Sequence, residues 1–303
     1  MKAILLFVFT FIVSLCCGTN KVIVNQTQQT KDRLAITKLK DTAKTSAIRE
    51  TLQSPKESNS IKISLGEDGT ESDDGVSITT EIIYTEAFDH SIFNALLKKH
   101  VSENGHVDYK DFKNDAKTLQ IYIDLLKTYQ PKDSWSKEDK LAYWINAYNA
   151  LTIDLILRNY PSNYPTKSIK DIKDPWDQRL WQFGDKWLNL NAIEHDILRK
   201  MDEPRIHFAI VCASVSCPKL QNDAFLASSL ETQLTNATKE FLTDSSKNEI
   251  SQNNLKLSKI FKWFKKDFEQ NGSLIDFLNQ YTTVAISESA EKSYKDYNWD
   301  LND

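Results

Sequence analysis

The segment RIHFAIVCASVSCPKL, residues 205–220, gathers one histidine, two cysteines and two serines behind an apolar run. A thiol becomes a nucleophile when a nearby imidazole takes its proton and a third polar group orients the ring. Cys217, or Cys212 if the turn points that way, is therefore a candidate for acyl chemistry with His207 as its base. Three other chemistries compete for the same residues. A Cys212–Cys217 disulfide can close across the four intervening residues if the chain turns back. A zinc site needs three or four ligands, and these thiols lack the paired spacing of structural zinc motifs. Both cysteines could also be inert, packed as small apolar groups.

Partners for the histidine lie a short way upstream. The stretch IEHDIL supplies Glu194 and His195, which diverge as neighbours on a helix, so one of the two is expected to face a pocket with His207. A glutamate in a first helical turn also serves the helix dipole. Asn146 and Asn149, three apart in YWINAYNALTIDL, lie on one face of an apolar helix. Buried amides must be bonded, either by clamping the backbone of adjacent loops or by orienting a histidine or an oxyanion. The segment HVDYKDFKND lacks the ligand alternation of a calcium loop and reads as a turn into a helix. The Trp-rich DPWDQRLWQF suits either a ligand cleft or core packing.

The elements that must position these groups are mostly helical. Phe88, Ile92, Phe93, Leu96 and Leu97 recur at helical spacing, as do Leu119, Tyr122, Ile123 and Leu126. A longer helix begins at an N-cap Ser136, with Asp139 three residues on, and is closed by Pro161. Its middle is apolar on nearly every side, which marks a buried central helix. LWQFGDKWLNLN reads as a hairpin turning at Gly184-Asp185, and Asn191 as the cap of a short helix AIEHDILRKM. Pro204 then breaks that helix and RIHFAIVC is expected to be a strand. There His207 would share a face with Ala209 and Val211, opposite Phe208, Ile210 and Cys212. Two amphipathic segments, FLASSLETQLTNATKEFL and SKIFKWFKKDF, flank a short strand NNLKL. The expected class is α+β: one helix-rich domain with a small, mainly antiparallel sheet around the buried helix.

Composition sets the surroundings. The chain has 303 residues, 40% hydrophobic and 26% charged, with a formal net charge of -4 and the two signs interspersed. Nucleic acid is not an expected partner, since a phosphate-tracking surface needs a concentrated basic face. Residues 1–18 have the layout of a secretory signal peptide, which points to a secreted, periplasmic or envelope-attached protein. Acylation at Cys16 or Cys17 would attach it to a membrane, although Leu15 stands where that motif has a small residue. Residues 19–80 contain no aromatic side chain and read as a tether too polar to form a core. All seven Trp lie between Trp135 and Trp299, so the globular domain is expected over residues 81–303.

The blocks LAYWINAYNALTIDLIL, AIEHDILR, RIHFAIVCASVSCPKL, LSKIFKWFKKDF and YNWDLN, in this order, resemble the domain-of-unknown-function 547 family across most of residues 84–303. The resemblance implies an exported protein and one buried polar set made of Asn146, Asn149, Glu194, His195, His207, Ser216 and Cys217. Such a set is similar to that of a thiol hydrolase of the papain or transglutaminase kind, although the order of parts departs from papain. The expectation is thus a cysteine-dependent hydrolase or acyltransferase on peptide or amide bonds, with Cys217 as nucleophile, His207 as base and Glu194 or an Asn as orienter. The alternative is a noncatalytic envelope module that binds a small molecule or peptide in a Trp-lined cleft and carries a Cys212–Cys217 disulfide. A thiol-disulfide exchanger fits less well, because its cysteines are two residues apart. No cofactor is called for by either reading.

Overall fold

The computed structural model describes residues 86–160 and 167–303. The signal peptide and tether expected over residues 1–80, and the Pro161 helix stop, lie outside the described residues. What is described is α+β and helix-rich. Three helices, α1 (Ser91–His100), α2 (Tyr109–Phe112) and α3 (Ala116–Thr128), precede the long α4 (Lys137–Asn159). Ser136 caps α4: its Oγ accepts from the Asp139 N–H at 2.9 Å and donates to Asp139 Oδ2 at 2.6 Å. Every residue from Leu141 to Leu157 is buried, Asn146, Asn149 and Asp154 included. A helix apolar on all sides finds this solution by standing at the centre of the domain.

The hairpin forms as its turn chemistry requires. Strands β1 (Trp181–Phe183) and β2 (Lys186–Leu188) pair antiparallel, and Gly184 takes φ +57° in the turn. Farther on come α5 (Leu230–Thr243), β3 (Glu249–Ile250), β4 (Asn254–Leu257), α6 (Ile260–Trp263), α7 (Lys265–Phe268), α8 (Leu274–Asn279) and β5 (Glu291–Tyr294). Strand β4 is central, antiparallel to β3 and parallel to β5. The sheet content is therefore divided between two small sheets rather than one.

The expected strand at RIHFAIVC is not one. Residues Pro204–Phe208 form a 3-10 helix, with Pro at its start and the Glu203 side chain accepting from the Arg205 N–H at 3.1 Å. Beyond it the backbone takes its partners from a side chain. Asn149 of α4 receives the Val211 N–H and donates to the Ala209 carbonyl, so no neighbouring strand is needed. An apolar run of this length has no periodicity that separates a strand from a buried irregular segment.

The same segment joins two apolar clusters. Ile206 and Ala209 belong to the core around α4, whereas Phe208 packs with Phe241, Phe261, Phe268 and Phe277 in the core formed by α5 to α8. His207 sits at that junction, and a cleft opens beside it.

Candidate functional site: an aromatic cleft walled by a disulfide

Ala192–Ile197 forms a π-helical turn, followed by a 3-10 turn Leu198–Met201. Its N-terminus is capped by Asn189, whose Oδ1 accepts from the Ala192 N–H at 2.7 Å. Asn191, the expected cap, instead donates to Asp177 Oδ1. Wide π turns recur at functional sites because they displace side chains from ordinary helical directions. Here Glu194 is buried while His195 is exposed, yet both line the cleft, which corrects the expectation that only one would.

The opposite wall is the loop after Val211. Cys212 and Cys217 are joined as a disulfide with 6.2 Å between their Cα atoms. Ala213 inside the loop adopts φ +58°, a left-handed conformation uncommon for a residue with a Cβ. The C-terminal segment holds the loop from outside. Val215 N–H donates to the Asp300 carbonyl, Ser216 N–H to the Asn298 carbonyl, and Asn302 N–H to the Ala213 carbonyl. This pairing carries Tyr297 and Trp299 into the cleft. The Tyr297 hydroxyl lies 3.3 Å from Cys217 Sγ and 3.4 Å from Cys212 Sγ. Burial pushes the Tyr297 phenol well above its usual range, so it keeps its proton.

The cleft, of about 220 Å³, is lined by Tyr148, Trp176, Trp263, Phe264, Tyr297 and Trp299 together with Glu194, His195, His207 and the disulfide. Trp263 and Trp299 are stacked at 5.7 Å with 29° between planes, and Trp176 meets Trp299 edge-on at 5.8 Å. Of the Trp-rich stretch, Trp176 thus faces the cleft, whereas Trp181 is core and donates its indole N–H to Asp154.

A charged chain runs behind the aromatic wall. Arg199 grips Asp267 of α7 with Nε at 2.6 Å and Nη2 at 2.7 Å, a bidentate pair. Arg199 Nη1 also lies 2.9 Å from His195 Nδ1, and since a guanidinium can only donate, Nδ1 is the acceptor. His207 Nε2 lies 2.8 Å from Asp267 Oδ2. Burial raises the cost of charge on Asp267, but the hydrogen bonds from His207 and Arg199 and the charge of Arg199 outweigh it and hold the carboxyl far below the usual range. An ionised Asp267 makes His207 Nε2 the donor. Burial, only partly opposed by Asp267, pushes the His207 pKa down, so the ring is neutral and stacked on Phe264 at 3.9 Å. Glu194 has different surroundings. Burial, set against a 3.3 Å hydrogen bond from the Tyr148 hydroxyl, raises its pKa to about 7.

These placements correct the catalytic assignment. Cys217 is bonded to Cys212, so neither sulfur is available as a thiolate, and the expected thiol hydrolase or acyltransferase is overturned. His207 reaches Asp267 rather than a cysteine, and Glu194 bonds Tyr148 rather than an imidazole. Asn146 and Asn149 orient no histidine. Asn146 exchanges two hydrogen bonds with the Phe225 backbone, and Asn149 does the same with Ala209 and Val211. They clamp the backbone of adjacent loops, the first of the two roles open to buried amides, and not the orienting role given them in the catalytic set. The polar residues do not form one buried set either, since His195 is exposed and Ser216 is half-buried, its Oγ accepting from the Asn298 N–H.

Sequence reasoning passed over Arg199, Asp267 and Tyr148. One signal for Asp267 was available: an acidic side chain among Lys262, Lys265 and Lys266 on an amphipathic segment. Among the described residues, no group of three His, Cys, Asp or Glu side chains is placed to hold a metal ion. No curated protein and no solved structure matches the chain. Residues 132–242, which carry α4, the π-helical turn, His207 and the disulfide, match the model of the family described as "Protein of unknown function, DUF547", bearing out the resemblance over that span.

Proposed function

We propose that the protein is a noncatalytic module of the cell envelope that binds a small-molecule or peptide ligand in its aromatic cleft. The observation that carries this reading is the Cys212–Cys217 disulfide, which turns the one arrangement that looked nucleophilic into a wall of a Trp-lined pocket. Concave sites lined by aromatic side chains with a few polar groups are the usual form of ligand pockets. Trp263 supports the same reading, since a large aromatic residue left 45% exposed at the mouth of a cleft gains little by folding and much by stacking. Export is supported by the leader-like N-terminus and by the disulfide, which persists outside reducing compartments.

The test is intrinsic Trp fluorescence of the full chain titrated with neutral saccharides, short peptides and small amines. A saturable change that Trp263→Ala removes, with unfolding unchanged, is the expected result. No saturable response from any member of the panel overturns the reading.

A further inference from the structure

Among the groups that line the cleft and the Arg199–Asp267 pair behind it, one charge is left without a counter-charge. Its lining contains no lysine and no arginine. Arg199, behind the wall, is committed to Asp267 through two short hydrogen bonds. His195 accepts from Arg199 and His207 donates to Asp267, and burial lowers the pKa of both rings, so neither brings a positive charge near neutral pH. Glu194 remains. The residue is 8% exposed, and its carboxyl accepts from the Tyr148 hydroxyl and forms no ion pair with any lysine or arginine of the described residues.

A buried carboxyl among aromatic rings is poorly solvated, and a cation brought to it gains from both surroundings. The ring faces carry negative quadrupole density, and the carboxylate supplies a full counter-charge. The aromatic cluster already holds one such contact: the Lys170 ammonium stands 3.9 Å from the centre of the Trp299 ring. The lining offers an anionic ligand no lysine or arginine, and a neutral ligand would leave an ionised Glu194 with only the Tyr148 hydroxyl as its partner in the cleft.

We infer that the cleft takes a small organic ammonium ion, with Trp176, Trp263, Tyr297 and Trp299 as its walls and the Glu194 carboxylate as its counter-charge. The inference rests on the cleft being a binding site and adds the class of ligand. It also sets a pH dependence. The groups that face Glu194 are Tyr148 from α4, Tyr297 from the C-terminal segment, His195 on its own turn, and Arg199 with Asp267 behind it. Both phenols are pushed upward by burial and stay protonated, and Asp267 stays ionised. Glu194 is accordingly the group whose ionisation gates the cation, and affinity falls as pH drops through about 7.

The probes are choline and its uncharged carbon isostere 3,3-dimethylbutan-1-ol, titrated calorimetrically into the full chain at pH 8 and pH 6. Choline is expected to bind at least about tenfold more tightly than the isostere at pH 8 and to weaken by about tenfold at pH 6. E194Q is expected to bring the two probes together. Equal binding of choline and isostere to the wild-type chain, or no binding of choline, overturns the inference without any variant. If choline fails while a neutral saccharide or peptide still gives a Trp263-dependent response, the ligand class is wrong and the binding module stands. If no probe responds, both fall.

Discussion

Asn149 bonds the chain on both sides of Ile210: its Nδ2 donates to the Ala209 carbonyl at 2.9 Å and its Oδ1 accepts from the Val211 N–H at 2.9 Å. The pair fixes the backbone at the residue before Cys212, so a side chain at the centre of α4 sets where the disulfide loop begins. Asn149→Ala removes both bonds and leaves two buried backbone groups without partners. A loss of roughly 2–4 kcal/mol in urea unfolding is expected. A loss within a few tenths of a kcal/mol would show that the loop holds its course without the clamp.

The disulfide makes two measurable statements. Native protein should not react with iodoacetamide at Cys212 or Cys217, and its nonreduced mass should be lower by two hydrogens than the reduced mass. Reduction opens a ring bounded by residues only five apart in sequence. A loop that small constrains the unfolded chain modestly, so a cost of about 2 kcal/mol is expected. Alkylation of either residue without prior reduction would remove the wall from the cleft as described.

The N-terminus of α4 and the two buried amides were legible because local chemistry settles them. Ser136 with Asp139 is a cap wherever a helix follows, and an amide inside an apolar helix must find a bonding partner. The Gly184-Asp185 hairpin was legible for the same local reason. Three features were not. The segment after Pro204 is irregular because Asn149, some 60 residues upstream, supplies its hydrogen bonds. The π turn at Glu194 differs from an α-helix by the width of its ring, which side-chain periodicity does not encode. The cleft itself joins Trp176, Trp263 and Trp299, whose meeting depends on the C-terminal segment pairing with the disulfide loop. Nothing local to any of those three residues announces the others.

Asp267 carries two partners at once, and its removal strands both. Asp267→Ala leaves a buried His207 without an acceptor and an Arg199 without its counter-charge. The Arg199 side chain is 28% exposed and recovers part of its hydration, so the expected cost is about 3 kcal/mol, at the lower end for a broken buried pair. The freed guanidinium would also stand near Glu194, so choline affinity is expected to fall along with stability. Unfolding unchanged in Asp267→Ala would mean that the pair is solvated in solution.

Glu194 should make the ligand-free protein less stable as pH rises. Its pKa is about 7 folded against an ordinary 4.5, so between those values the folded protein holds a proton that the unfolded chain has released. Stability from this group is complete below pH 4.5, falls with a positive pH step through that window, and is flat above 7, a total of about 3 kcal/mol. Glu194→Gln keeps the shape and cannot ionise, so it should match the wild type near pH 4 and exceed it by up to about 3 kcal/mol at pH 8. The difference between the two unfolding curves cancels the other carboxylates. A cation that pairs with Glu194 should close the gap at pH 8, because it binds the folded, ionised form of the wild type and not the variant. Parallel curves for wild type and variant across pH 4 to 8 would mean that Glu194 is solvated in the folded protein, and with that the cleft would lose its buried counter-charge.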